Sequence, residues 1–184
     1  MAALRSRTLL ILVIIGAATF STCSPWSRLS YHGDGTLSDR SEFNRPRYVI
    51  SFNKIPISQV GAYQFRFQGV PDEHMTLVLE VAGDSSVHAD GLKSLQTAIE
   101  AHLTDSSGID VCKSSRLPAL NDQDSVWVLS GDEQGPTFWH WQCHNFQAQP
   151  RDTYELTIRV ARADPRGERI FVTPTLQGGG IEFP

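Results

Sequence analysis

Tyr154-Glu155-Leu156-Thr157-Ile158-Arg159-Val160 decides the fold. Four bulky apolar residues alternate with two charged residues and a threonine, so a pleated strand puts the first set on one face and the second on the other. A strand with one dry face requires a second layer to keep it dry. The same period of two recurs outward from this stretch. Tyr48, Ile50 and Phe52 alternate with Val49 and Ser51; Tyr63, Phe65 and Phe67 alternate with Gln64, Arg66 and Gln68; Met75, Leu77, Leu79 and Val81 alternate with Thr76, Val78 and Glu80. Thr97 to Thr104 and Ile109 to Lys113 flank Asp105-Ser106-Ser107-Gly108, where Gly108 can supply the positive φ of a type I turn followed by a bulge. That spacing predicts a hairpin with Cys112 on its second arm. Ser125 to Ser130, Thr137 to Cys143 and Arg169 to Leu176 complete the predicted strands.

One segment reads both ways. Leu92, Leu95, Ile99 and Leu103 fit a helical period, but the hairpin turn needs an extended arm before it. The expectation is a helical turn or loop over Asp90 to Leu95 and a strand after it. Roughly seven to nine short strands at intervals of about ten residues predict an all-β chain: a two-sheet antiparallel β-sandwich with at most one short helix. This pattern resembles sandwiches of immunoglobulin or C2-like type. Asp152-Thr153-Tyr154 is similar to their tyrosine corner, which implies that the Tyr154 hydroxyl bonds back to the preceding connection.

The N-terminus carries a different message. Arg5 and Arg7 precede Thr8 to Phe20, an uncharged apolar run of 13 residues, too short for a membrane span of roughly 20. Ser21-Thr22-Cys23 follows, so residues 1–23 read as an export signal ending at a thiol. The residues alone leave three products open: a lipid-anchored protein, a plainly secreted or periplasmic one, and an uncleaved anchor. Phe20-Ser21-Thr22-Cys23 resembles a bacterial lipoprotein signal, which implies acylation of Cys23 by palmitate-type chains. Ser24 at the next position implies, by the same resemblance, the periplasmic face of the outer membrane. Residues 24–46 are polar and turn-rich and read as a tether, with Trp26, Leu29, Tyr31 and Phe43 as candidates for an irregular N-terminal strand. The sandwich is expected over residues 47–184.

Cysteine count and charge bound the chemistry. With Cys23 acylated, Cys112 and Cys143 remain as an even pair that an oxidising compartment would bridge; two buried, unpaired thiols are the alternative. Without Arg5 and Arg7 the 16 basic side chains fall to 14 against 20 acidic. The basic residues are scattered, which argues against nucleic acid and against an anionic membrane surface as partners.

No catalytic constellation emerges. His140, Cys143 and His144 suggest a metal site, but on an extended strand the two histidines lie about 13 Å apart and Cys143 faces the other side. Surface histidines beside a disulfide are the expectation. Asp105 and Asp110, with Asp122, Asp124 and Asp132, have the oxygen chemistry of calcium loops without their spacing. His32-Gly33-Asp34-Gly35 lacks a nucleophile elbow, and the Gly178-Gly179-Gly180 run lacks the strand-to-helix context of a phosphate loop. No cofactor or metal is expected. Phe138-Trp139-His140-Trp141 is the densest aromatic cluster and the candidate binding surface, Trp139 and Trp141 on one face and Phe138 and His140 on the other. The functional expectation is an exported, lipid-anchored, non-enzymatic binding or adaptor protein of the cell envelope, of the periplasmic immunity or assembly type, with a protein partner. The alternatives are a carbohydrate-binding module that stacks sugars on Trp139 and Trp141, and an envelope enzyme built on unrecognised loops.

Overall fold

A computed structural model describes residues 31–40, 47–82, 92, 94–113, 126–132 and 135–179, the side chains of residues 131, 132 and 135 excepted. Cys23, Asp122, Asp124 and half of the expected turn at Asp90 to Leu95 lie outside the described residues. Thirteen strands follow along them: β1 (His32–Gly33), β2 (Thr36–Asp39), β3 (Tyr48–Ser51), β4 (Ile55–Pro56), β5 (Gly61–Gln68), β6 (His74–Ala82) and β7 (Ala98–Thr104). Then come β8 (Asp110–Lys113), β9 (Trp127–Asp132), β10 (Gly135–His140), β11 (Phe146–Gln147), β12 (Thr153–Arg162) and β13 (Phe171–Gly178). They form two antiparallel sheets packed face to face, a β-sandwich. The small sheet has the order β1-β5-β12-β7-β8; the large one has β2-β3-β13-β6-β10-β9, with β4 added on β13 and β11 on β6.

β12 is the central strand of the small sheet. Its register places Leu156 between Phe65 and Leu103, and Ile158 between Tyr63 and Ala101. Tyr154, Leu156, Ile158 and Val160 are all buried, as their alternation predicts. They meet Met75, Leu77 and Leu79 of β6, Leu176 and Val172 of β13, and Ile50 of β3 in one continuous core. Phe52, just after β3, packs on Phe65 and Phe67 with ring centroids 4.9 and 5.2 Å apart, and Phe67 stacks on Tyr154 at 5.7 Å. Aromatic rings from both sheets thus interlock at this end of the sandwich. The Tyr154 hydroxyl accepts a 2.7 Å bond from the Gln149 amide. That contact has the form expected of a tyrosine corner and fixes where β12 begins.

The hairpin forms as its turn residues dictate. The Asp105 carboxylate accepts from the Ser107 and Ile109 amides at 2.8 and 3.0 Å, Gly108 takes φ +73°, and the register slips between Leu103 and Thr104. Leu103 pairs with Cys112, which puts the thiol side of Cys112 in the core row. Where the chain passes from β12 to β13, the buried carboxylate of Asp164 accepts from the amides of Gln96 and Arg166 and from the Arg166 guanidinium. Those bonds, the guanidinium's first, hold it well below the usual carboxylate range. They also tie the start of β7 to the far end of β12.

The domain begins earlier than composition implies. Residues 31–40, read as part of the tether, contribute β1 to an edge of the small sheet and β2 to an edge of the large one. His32-Gly33-Asp34-Gly35 is the crossover between them. The Asp34 amide donates to the Arg66 carbonyl, and the Asp34 carboxylate accepts from the Arg66 amide, both at 2.8 Å. Gly33 sits at φ +117°, where a Cβ would lie 2.2 Å from the Arg66 carbonyl oxygen, so only glycine passes there. Tyr31 packs over Phe67, and its hydroxyl donates to the Asp34 carbonyl. A polar segment is held here by backbone pairing and the Gly33 passage, with Tyr31 and Leu37 its apolar contacts to the core.

Ile158→Ala should cost about 2 to 5 kcal/mol, the range for emptying a fully buried aliphatic position. Thr157→Ala, half-exposed on the opposite face, should stay within about 1 kcal/mol. Urea midpoints of the two variants measure the difference, and equal shifts would refute the register of β12.

Candidate functional site

β10 and β11 are one strand interrupted. Trp139 pairs with Val78 and Phe146 with Met75 of the same neighbour, β6. Seven steps of one chain therefore face three of the other, and the surplus loops out. The loop starts as a 3-10 turn, Trp141–Cys143, capped by its own preceding residue: the His140 Nδ1 accepts a 3.1 Å bond from the Cys143 amide. It ends at Asn145, whose φ of 58° suits asparagine better than most residues. Opposite the gap, the Thr76 hydroxyl accepts from the Asn145 amide at 3.1 Å and lies 3.2 Å from the His144 Nδ1. His74 adds a 3.2 Å bond from its Nδ1 to the Asn145 carbonyl.

Cys143 is joined to Cys112 by a disulfide, with Cα atoms 5.2 Å apart. It links β8, the last strand of the small sheet, to the loop after β10 in the large sheet. Beside it the Trp127 indole donates a 2.8 Å bond to the Ile99 carbonyl on β7. Among the described residues β8 pairs with β7 from Thr104 to His102, and the Ile99 carbonyl takes its donor from the other sheet. The two links close one side of the sandwich.

The residues expected on one aromatic surface divide. Phe138 and His140 are buried, whereas Trp139 is half-buried on the outer face and Trp141 is 63% exposed. The sidedness holds, but His140 is a core group and not a surface histidine. The strand ends directly after it so that Cys143 can turn inward to Cys112, and its ring meets Trp127 edge-on at 4.5 Å and 83°. Burial, the largest influence, lowers its pKa to about 4. Its place beside the two tryptophans is taken by His144, which the sequence reading expected as a surface histidine but did not count in the aromatic cluster. Trp139 and Trp141 lie 5.6 Å apart at 50°, Trp139 and His144 5.8 Å apart, and Trp141 and His144 stack at 6.3 Å and 16°. All three rings touch one another, forming a ridge, with Val128 beside it 38% exposed. The outer face beneath is dry too: Val78 lies next to Trp139 across the ladder, and Thr76 lies under the loop, both buried. Alternation along β6 therefore does not separate wet from dry.

The acidic and metal candidates do not converge. Asp105 caps the hairpin turn; Asp110 bonds His102 at 2.5 Å and lies 3.8 Å from the Lys113 ammonium. That bond to His102, chiefly, holds the Asp110 carboxyl below its ordinary range. Asp132 is in β9, with its side chain outside the described residues. Cys143 is committed to its disulfide, and the Nδ1 atoms of His140 and His144 to the bonds above. Among the described residues no three His, Cys, Asp or Glu side chains are gathered to hold an ion.

Replacing Cys112 and Cys143 by alanine together should lower stability by roughly 3 to 4 kcal/mol, the chain-entropy cost of releasing a loop closed over 31 residues. Denaturation midpoints with and without reductant measure it. Acid supplies a second expectation. His140 titrates near 6.5 when unfolded and near 4 when folded. The unfolded chain therefore binds the extra proton between those values, so stability is complete above about pH 6.5 and falls as pH drops toward 4. Between pH 7.5 and 4.5 the loss should be roughly 2 to 3 kcal/mol. It should be absent from the part of the urea profile that His140→Asn retains.

Comparison with protein-family models, curated proteins and solved structures finds no match, so the functional reading rests on this chain's own residues.

Proposed function

We propose that this chain is an exported, lipid-anchored, non-enzymatic binding protein of the bacterial cell envelope, and that it grips a protein partner through Trp139, Trp141 and His144. The observation that carries the reading is the ridge itself. A tryptophan 63% exposed stands on a loop fixed by a disulfide, a histidine cap and a threonine. Large aromatic rings held rigid at low entropic cost are the side chains that dominate protein interfaces. Ring contacts at 5.6 to 6.3 Å leave no slot between the rings for a small cation or a sugar edge. The anchor at Cys23 and the periplasmic face of the outer membrane rest on the N-terminal segment. Two or three acyl chains would hold the protein there stably at about 0.8 kcal/mol per buried methylene.

The second reading, a glycan-binding surface, draws support from the same two tryptophans, although their 50° tilt departs from a flat stacking platform.

Metabolic labelling with a palmitate analogue should mark the wild-type protein and not Cys23→Ala; equal labelling of both removes the anchor. A photoreactive residue placed at Gln142 in living cells should give a discrete protein adduct that Trp141→Ala weakens at least about 30-fold, the loss typical of an interface hot spot. Trp141→Ala should leave the denaturation midpoint near that of the wild type. Absence of any adduct, together with retardation of the purified protein by cell-wall polysaccharide, would replace the protein reading by the glycan one.

A further inference from the structure

β5 is covered along one edge and only in part along the other. β12 pairs with it from Gly61 to Gln68, whereas β1 pairs only with Phe67 and Gln68. Past the end of β1 the edge is taken once more, at Arg66, whose carbonyl accepts from the Asp34 amide and whose amide donates to the Asp34 carboxylate. Both backbone groups of Arg66 therefore point away from β12. Backbone direction alternates along a strand, so the amides and carbonyls of Gln64 and Ala62 point the same way. Among the described residues nothing bonds those four groups. Ala62 and Gln64 are exposed, and Val60, just before the strand, is 68% exposed.

Sheets guard an open edge with a charge, a proline or a bulge. β8 carries the exposed Asp110 and Lys113, and β2 ends at Asp39 with Arg40 after it. Gly61 to Phe65 has none of these guards: it is uncharged, contains no proline and keeps an unbroken register with β12. Its free groups are also symmetric about Tyr63. A second copy laid antiparallel, with the partner's Tyr63 opposite Tyr63, sets Ala62 against the partner's Gln64 and Gln64 against the partner's Ala62. Every free group on both chains then finds a donor or an acceptor. Other registers in phase with these groups set one of them against Arg66, already taken by Asp34, or against Val60, outside the strand. We infer that two copies of this chain associate edge to edge through Gly61 to Phe65, joining their small sheets into one. The facing residues are neutral, so a chain of net charge -4 brings no like charges together at the seam. The ridge stands on β10, toward the β9 side of the large sheet, whereas the seam opens where β1 crosses to β2, so pairing leaves the ridge uncovered. A seam of five-residue strands buries less than a standard interface, so the dimer is weak and concentration-dependent.

The pairing does not rest on the role proposed for the ridge, and its test reads the seam alone. Residues opposite each other in a hydrogen-bonded antiparallel pair have Cα atoms about 5.5 Å apart, within disulfide reach. Ala62→Cys and Gln64→Cys, both at exposed positions, are made in the full chain with tags of different size and oxidised separately and as a mixture. The mixture should give a reducible heterodimer at least roughly 10-fold stronger than the dimer of either variant alone, because like residues of the two copies lie about 8 to 9 Å apart in this register. Wild type oxidised alongside gives the background from the native cysteines. Amide hydrogen exchange of the unmodified chain supplies a second reading that needs no variant to fold. The Ala62 and Gln64 amides should exchange more slowly as protein concentration rises, while Tyr63 and Phe65, paired with β12 throughout, should not change. Equal cross-linking of the single variants, no cross-link in the mixture, or Ala62 and Gln64 amides indifferent to concentration would each overturn the pairing.

Discussion

Everything on one side of this sandwich depends on how its two sheets are joined where neither continues. β8 and β9 are the last strands of their sheets in the pairing order, and an open side there would let water reach Leu103, Trp127 and Phe138. Among the described residues three contacts of different character join the sheets here. The disulfide is covalent and restricts the unfolded chain; the Trp127 indole donates across the sheets to the Ile99 carbonyl; the His140 ring caps the turn that brings Cys143 within reach. Removing the cap leaves the covalent bond in place, whereas removing the covalent bond leaves the cap with nothing to hold inward. The disulfide therefore sets the order of dependence, and the histidine tunes it.

The most regular parts of the fold were legible in the sequence for a physical reason. β12 packs one face on the opposite sheet and leaves the other open to solvent, so its residues must alternate between dry and wet. Tyr154 to Val160 writes that requirement out in full. The hairpin was legible because Asp105 and Gly108 each meet a local backbone demand. Residues 31–40 were not, because what holds β1 and β2 is backbone pairing and the passage of Gly33 over Arg66, neither of which leaves an apolar period. Composition measured their polarity correctly and implied the wrong consequence. Gly33 and Asp34 read as a motif without a partner; they are a crossing point between sheets.

The aromatic surface was half legible. Alternation separated Trp139 and Trp141 from Phe138 and His140, and that separation holds up to His140. It could not say which face was wet, and it extended the strand to Cys143 although the ladder ends three residues earlier. The missing signal is non-local. The loop exists because β6 offers Thr76 opposite the surplus residues and β8 offers Cys112 to receive Cys143. His144 enters the ridge only after both are in place. No window of sequence around it contains those partners.

The ridge also shields much of its own apolar surface. Two tryptophans and an imidazole on an outer sheet face would invite indiscriminate association if each ring stood apart. Each instead covers part of the next, and Trp139 covers Val78 below, so much of the apolar area is spent inside the cluster. What remains exposed is one face of Trp141, the edge of the pair and the nearby Val128, bounded by the exposed Gln142 and Asn145. A small apolar centre inside a polar border is the anatomy of a specific interface. Its precision depends on ring positions that a turn of three residues must hold to within a fraction of a ring width. Such a surface can be rigid only if its base is rigid, and the base here is the disulfide-closed corner of the sandwich.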